Sequence, residues 1–258
     1  MDSEFCLIIE DRNIEAYPYQ LFKILDDTKP DFIAVAFDSY GKTFRHEKYD
    51  GYKASRAEMP DDMIPQIDRI KQIIELLNIP IYILPRYEAD DIIGTAVCKA
   101  EEEGLESFVI TPDKDFNQLV TEGVKVIRPG GKSGDEIVVY DIAKVKEEFG
   151  FEPHQMIDYL ALTGDKSDDI PGVAGVGPKT AIPLIQKYGS IEGIYEHIDE
   201  IEKKGLKNKL LEGRDNAFIS KILATIHCEV PLEFDFEILQ KKRKNYILTF
   251  ATSTVIMI

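Results

Sequence analysis

The chain has 258 residues, 44 % of them hydrophobic, with 47 acidic against 31 basic side chains and a formal net charge of -16. That apolar share can bury a core, which excludes a wholly disordered chain, and no apolar run approaches the roughly 20 residues that span a bilayer. Three scattered cysteines, Cys6, Cys98 and Cys228, give neither a metal-ligand spacing nor a disulfide framework, and with a start lacking a basic signal segment they point to a soluble, cytoplasmic protein.

In chain order, residues 17–26 read as a short amphipathic helix and 32–37 as a buried strand. Residues 60–78 carry Ile64, Ile67, Ile70, Ile73, Ile74 and Leu77 at helical spacing, and 79–84 follow as a strand. A helix over 88–103 stops at Gly104. Then come a strand at 107–111, a short helix at 115–121, a strand at 124–128, a Gly-rich turn and an edge strand at 136–140. Such β–α alternation predicts an α/β fold, a mostly parallel sheet flanked by helices. From about Asp141 the pattern turns helical. We therefore divide the chain into an α/β core over 1–150, a helical subdomain over 151–239 and a tail over 240–258.

Acidic residues gather where the apolar runs end. Asp38 closes one run; Glu88, Asp90 and Asp91 follow the next; Asp113 and Asp115 follow a third; Asp165 and Asp168 lie in a later loop. Ligands bind at the carboxyl ends of strands in an open α/β sheet. Helix capping accounts for each acid singly but not for the coincidence of four clusters at one end. Carboxylates brought together there would repel unless hard cations lay between them. Oxygen ligands without matching His or Cys favour Mg²⁺ or Mn²⁺ over Zn²⁺, and a pair of such ions is the usual apparatus for cleaving phosphodiesters.

A net negative charge argues against a nucleic-acid partner, but bound cations would cancel part of it, and local field outweighs the sum. Residues 170–181 contain Gly172, Gly175 and Gly177 followed by Pro178 and Lys179. Pro178 has no N–H to offer a phosphate, so a nucleotide-binding P-loop is disfavoured. A helix–hairpin–helix turn fits better: glycines admit a phosphate to a helix N-terminus, with Lys179 and Lys187 adding charge. A tight turn with no ligand is the alternative. Upstream, Arg45, Lys48, Lys53 and Arg56 interleave with Tyr49 and Tyr52, a pattern that can hold phosphates and stack bases, or simply an exposed helix.

With these motifs in hand, the chain resembles the 5′-nuclease family, most closely the N-terminal domain of bacterial DNA polymerase I. The resemblance rests on AVAFD ending at Asp38, TFRHEKYDGYKASR from Thr43, YEADDIIGT from Tyr87, TPDKDFNQLV from Thr111 and LTGDKSDDIPGVAGVGPKTA from Leu162, in order across residues 17–239. It implies a PIN-like core with a helical arch around 43–60. Asp38, Glu88 and Asp90 would hold a first metal ion. Asp113, Asp115 and Asp168 would hold a second, with Asp91 and Asp165 as inner or water-mediated ligands. Lys53 and Arg56 become catalytic, and Arg45, Tyr52, Lys53 and Arg56 join Gly172, Gly175, Gly177 and Lys179 as DNA contacts, with K⁺ at the turn. A structure-specific 5′-3′ exonuclease or flap endonuclease follows as the implied activity. Branched or nicked DNA is the substrate, a DNA polymerase an associate, and the protein a monomer.

Departures from the pattern matter. The family opens with a strand ending in a metal-binding Asp, and here that strand is expected to be missing unless residues 7–11 imitate it, with Glu10 or Asp11 as substitute ligand. Pro112 stands for a common Gly and Asp169 for a common Asn. A missing strand leaves a second expectation open, a catalytically impaired, structure-specific DNA-binding protein.

Overall fold

The computed structural model describes residues 4–9, 30–61, 64–130 and 136–236. Six strands form one sheet: β1 (Glu4–Ile9), β2 (Phe32–Ala36), β3 (Ile81–Tyr82), β4 (Glu106–Ile110), β5 (Val124–Gly130) and β6 (Glu136–Tyr140), in the order β3-β2-β1-β4-β5-β6. All neighbours pair in parallel except β5 and β6, an antiparallel edge. The mostly parallel sheet expected from the sequence is therefore present.

β1 is a correction to the expected missing strand. It lies at the centre, with Leu7 opposite Ala34 on one side and Val109 on the other. Glu10 and Asp11, the substitute ligands, and the helix expected at 17–26 lie outside the described residues, as does the tail.

β2 is buried along its whole length, as a parallel strand covered on both faces must be. Its side chains divide by alternation. Ile33, Val35 and Phe37 pack with Ile67, Ile70 and Ile74 of helix α2 (Ile64–Leu76). Ala34 and Ala36 face Ile92, Ile93, Ala96 and Val97 of α3 (Ala89–Glu102). β3 is shorter than the strand expected over 79–84, because Pro80 and Pro85 bracket it without N–H groups.

After β6 come α4 (Ile142–Phe149), α5 (Met156–Thr163), α6 (Pro178–Tyr188), α7 (Ile191–Glu196), α8 (Lys204–Glu212) and α9 (Arg214–Ala224). Their apolar residues, among them Met156, Leu160, Leu162, Ile185, Leu210 and Leu223, form a second core. The loop after α5 folds back on itself. A Cβ on Gly172 would come within 2.4 Å of the Gly164 nitrogen, so two backbones pass in contact. Both glycines have positive φ, 69° and 59°, and Asp165 bridges to Ile170 between them. That crossing aims the loop with Asp165 and Asp168 toward the sheet.

Candidate active site

In a parallel sheet the carboxyl ends of adjacent strands open on one crevice. Asp38 follows β2, Glu88 and Asp90 enter at the first turn of α3 after β3, and Asp113 and Asp115 follow β4. Asp38 Oδ1 accepts the Ala89 N–H at 2.7 Å, tying β2 to the start of α3. Asp113 caps the short 3₁₀ helix Lys114–Leu119 by accepting the Asp115 N–H at 2.8 Å.

The electrostatics show crowding. The Asp90 carboxyl is raised well above its ordinary range by burial, then by the negative charges of Asp38, Glu88 and Asp113. Burial and the neighbouring Asp113 push Asp115 up to about 7, and its Oδ1 is buried with no hydrogen-bond partner among the described residues. From the helical layer Asp165 and Asp168 approach the same crevice through bridging cations. Lys114 Nζ lies 2.7 Å from Asp165 and 3.6 Å from Asp115. Lys53 Nζ lies 2.9 Å from Glu88 and 3.6 Å from Asp168, which also pairs with Arg56 at 2.8 Å. Burial opposes the charge on Lys53, but Glu88 and Asp168 outweigh it and raise its pKa.

Among the described residues no three His, Cys, Asp or Glu side chains converge as a ready cluster for one metal ion. Lys53, Arg56 and Lys114 spread the acids instead, each acting as the counter-charge. The donor set nevertheless fits hard divalent cations. It is made of oxygens, it holds a buried carboxylate oxygen on Asp115 without a hydrogen bond, and burial followed by neighbouring negative charge pushes Asp90 and Asp115 toward the neutral form.

Four expected residues are corrected by their surroundings. Arg45, expected at a phosphate, is 2 % exposed and forks onto Asp91 with two bonds of 2.7 Å, while donating to the Leu223 and Thr225 carbonyls. Asp91, expected at a metal, is fully buried and also accepts the Glu88 and His227 amides. Its oxygens are consumed, and Arg45 with these amides outweighs burial to hold its pKa low. Tyr52, expected to stack on a base, is 2 % exposed; its hydroxyl lies 3.0 Å from Glu88 and 3.3 Å from Asp168. Gly172 is buried and spends its N–H on Ser220 Oγ. By contrast Gly175 and Lys179 are exposed, and Gly177 caps α6 with Pro178 at its first position.

The arch expected around 43–60 is reduced to helix α1 (Phe44–Lys48) and a turn through residues 50–55. That turn lies down on the Asp165 loop: Lys53 N–H donates to the Asp168 carbonyl, and Ser55 donates through its amide and hydroxyl to Asp169 at 2.7 and 2.8 Å. Lys53 and Asp169 both take left-handed backbone angles, φ 52° and 54°, so the contact joins two strained positions.

Three residues escaped the sequence reading. Lys114 sits between Asp113 and Asp115, a base between two acids that could have been suspected. Asp169 was noted only as a departure. Lys209 comes from α8, far along the chain, and its Nζ lies 3.3 Å from the Gly175 carbonyl; no local signal announces it.

Known proteins match both parts of the fold. The family model for the "5′-3′ exonuclease, N-terminal resolvase-like domain" matches residues 13–150, and that for the "5′-3′ exonuclease, C-terminal SAM fold" matches 151–246. DNA polymerase I of Caldicellulosiruptor bescii is 43 % identical over 227 residues, 87 % of this chain but 26 % of the relative. The chain spans about a quarter of the length of the curated relatives it matches. Among solved structures, T5 5′-exonuclease with bound zinc aligns with a TM-score of 0.70 at 20 % identity, covering 95 % of this chain and 99 % of that one. The catalytic core of Rad2 with a DNA substrate aligns at 0.56 and 16 % identity, covering 99 % and 92 %.

Proposed function

The chain belongs to the 5′-3′ exonuclease family, and from that premise we propose that it hydrolyses DNA phosphodiester bonds at 5′ flaps, nicks or branches with the help of Mg²⁺ or Mn²⁺. The observation that carries this reading is the crowded carboxylate set, where Asp115 keeps a buried oxygen without a hydrogen bond and Asp90 is repelled by three neighbours. Asp38, Glu88, Asp90, Asp113 and Asp115 would hold the cations, with Asp165 and Asp168 completing the set. Bound there, such ions supply an activated water and neutralise charge on the scissile phosphate.

The chain's own cations do the rest. Lys53 and Arg56, paired here with Glu88 and Asp168, are the cations that would serve a phosphate oxygen at the rim of the crevice once those carboxylates held other counter-charges. Tyr52 orients Glu88 from below through its hydroxyl. Gly175, Gly177, Lys179 and Lys209 would grip the duplex backbone. A K⁺ ion at that turn would compete with Lys209 for the Gly175 carbonyl.

We assign residues 1–150 to the nuclease core and 151–239 to the DNA-binding subdomain, in keeping with two family models that meet at residue 150. Among the described residues no helix is long and apolar enough to cross a membrane. In this reading the protein is a cytoplasmic monomer that acts beside a DNA polymerase, the protein its curated relatives are named for. The competing reading, a DNA-binding protein without catalysis, draws support from the lysines that bridge the acids. A labelled 5′-flap duplex separates the two. Cleavage with Mg²⁺ or Mn²⁺ that vanishes in Asp113→Ala supports the enzyme; tight binding without cleavage in either metal supports the module.

A further inference from the structure

After α9 the chain returns across the nuclease core as an extended segment, residues 225–236, laid along α3. Its register is fixed by four contacts. The His227 N–H reaches Asp91 Oδ1 at 2.9 Å, the Val230 N–H reaches Thr95 Oγ1 at 3.1 Å, and Lys99 Nζ donates to the Leu232 carbonyl at 2.6 Å. Gly94 is the fourth: a Cβ there would stand 2.6 Å from Ile226 Cγ2 and 3.6 Å from Cys228 Sγ, so only glycine admits the segment this closely. Cys98 lies one turn beyond Gly94 on the same face of α3. Cys98 and Cys228 are both free and partly exposed, and each thiol shifts the other's pKa, Cys98 downward and Cys228 upward.

We propose that Cys98 and Cys228 form a built dithiol site that a small disulfide oxidant converts to an intramolecular disulfide, stapling the returning segment to the helix that carries Glu88 and Asp90. The two partners lie about 130 residues apart in the sequence, so their meeting is a product of tertiary structure rather than of sequence spacing.

The chemistry balances with glutathione disulfide as the oxidant. The Cys98 thiolate attacks one glutathione sulfur, forming a mixed disulfide and releasing one glutathione thiolate, which takes up a proton. The Cys228 sulfur then displaces the second glutathione, forming the protein S–S bond as its own proton leaves. Two protein thiols are oxidised and one glutathione disulfide is reduced to two thiols. The neighbouring Cys228 thiol lowers the Cys98 pKa, which makes Cys98 the first attacker.

The site differs from a chance pair because the segment is already pinned on both sides of Cys228, by His227 and Val230. Closing the bond asks for a sulfur–sulfur approach to about 2 Å without moving the backbone far. It would close a loop of about 130 residues, long enough that constraint of the unfolded chain should raise stability.

The test uses the full chain, reduced and then incubated with glutathione disulfide, followed by intact mass and non-reducing peptide mapping. The expected result is loss of two hydrogens and one cross-linked peptide joining Cys98 to Cys228, formed about tenfold or more faster than in urea. The oxidised form should melt about 5 °C or more higher, reversibly with dithiothreitol, and its His227 and Val230 amides should exchange more slowly. Cys228→Ser should leave a stable glutathione adduct on Cys98. Bridging through Cys6, separate adducts on Cys98 and Cys228, no reaction, or equal rates in folded and unfolded protein would overturn the proposal.

Discussion

The first turn of α3 separates two regions that treat the same side chain in opposite ways. Toward the crevice, Asp90 faces Asp38, Glu88 and Asp113, and its carboxyl is driven toward the neutral form. On the far side Asp91 receives the Arg45 fork and two backbone amides, and its carboxylate is held ionised. One aspartate is satisfied by the protein and has nothing left to give a ligand. The other is left short of positive charge, which is what a site reserved for an added cation looks like. The lesson is that neighbouring acids in a motif are distinguished by what already holds them.

The largest effect expected from breaking this contrast is on catalysis. Asp90→Asn should slow flap cleavage by about a thousandfold or more, roughly 4 kcal/mol of barrier. It should leave the metal-free protein as stable as before, or about 1 kcal/mol more stable, since one repelling charge is gone. Single-turnover cleavage and urea unfolding in chelator measure the two halves; a marked loss of stability would place Asp90 with Asp91 instead.

Arg45→Met should do the reverse. It strands the Asp91 carboxylate in a buried position and cuts the links to the Leu223 and Thr225 carbonyls, costing about 3–5 kcal/mol. The double variant Arg45→Met with Asp91→Leu should recover much of that loss. Urea midpoints would show it, and a single variant within about 0.5 kcal/mol of the parent would contradict the buried pair.

Stability against pH sharpens the same contrast. In chelator, Asp115 has a folded pKa of about 7 against an ordinary 3.8. Its contribution is fully present below about pH 4 and is lost as pH rises through 7. Asp91 has a lowered pKa, so its contribution is present above its ordinary range and disappears as pH falls further. Metal-free stability should therefore climb between pH 7 and 4, on the order of 1–2 kcal/mol after solvent screening, and fall below that. Asp115→Asn should flatten the climb. Saturating Mg²⁺ should flatten it as well, because a bound cation replaces the proton.

How far these regions were legible in the sequence follows from the range of the interactions. Ile33, Val35 and Phe37 alternate with Ala34 and Ala36, and Ile67, Ile70 and Ile74 repeat at helical spacing; period alone placed β2 and α2. The acids at strand ends were legible for the same reason, since topology puts those ends together. The fate of Arg45 and Asp91 was not. TFRHEK has the pattern of an exposed basic helix, and nothing nearby tells that Leu223, Thr225 and His227 will close over it. Tyr52 was misread likewise, because its partners Glu88 and Asp168 arrive from two other segments. β1 was misjudged because the family's metal-binding Asp was sought rather than an apolar run that could pair on both sides.

The smallest expected effect lies at the glycine turn, where exposure makes each charge count for little. Lys179 is exposed beside the N-terminus of α6, and Lys209 reaches the Gly175 carbonyl from α8. If both face one phosphate track, Lys179→Glu should weaken duplex binding severalfold and lower the slope of log K against log salt by about 1. Lys209→Gln should have a similar but smaller effect, because part of its charge is already directed at the protein. It should also make binding more responsive to exchanging Na⁺ for K⁺, since the carbonyl it served would then be free. Anisotropy titrations of a short duplex across salt concentrations supply both numbers. An unchanged slope in Lys179→Glu would remove the turn from the DNA surface, whereas an unchanged slope in Lys209→Gln alone would return that lysine to a purely structural contact and leave the acidic crevice untouched by the result.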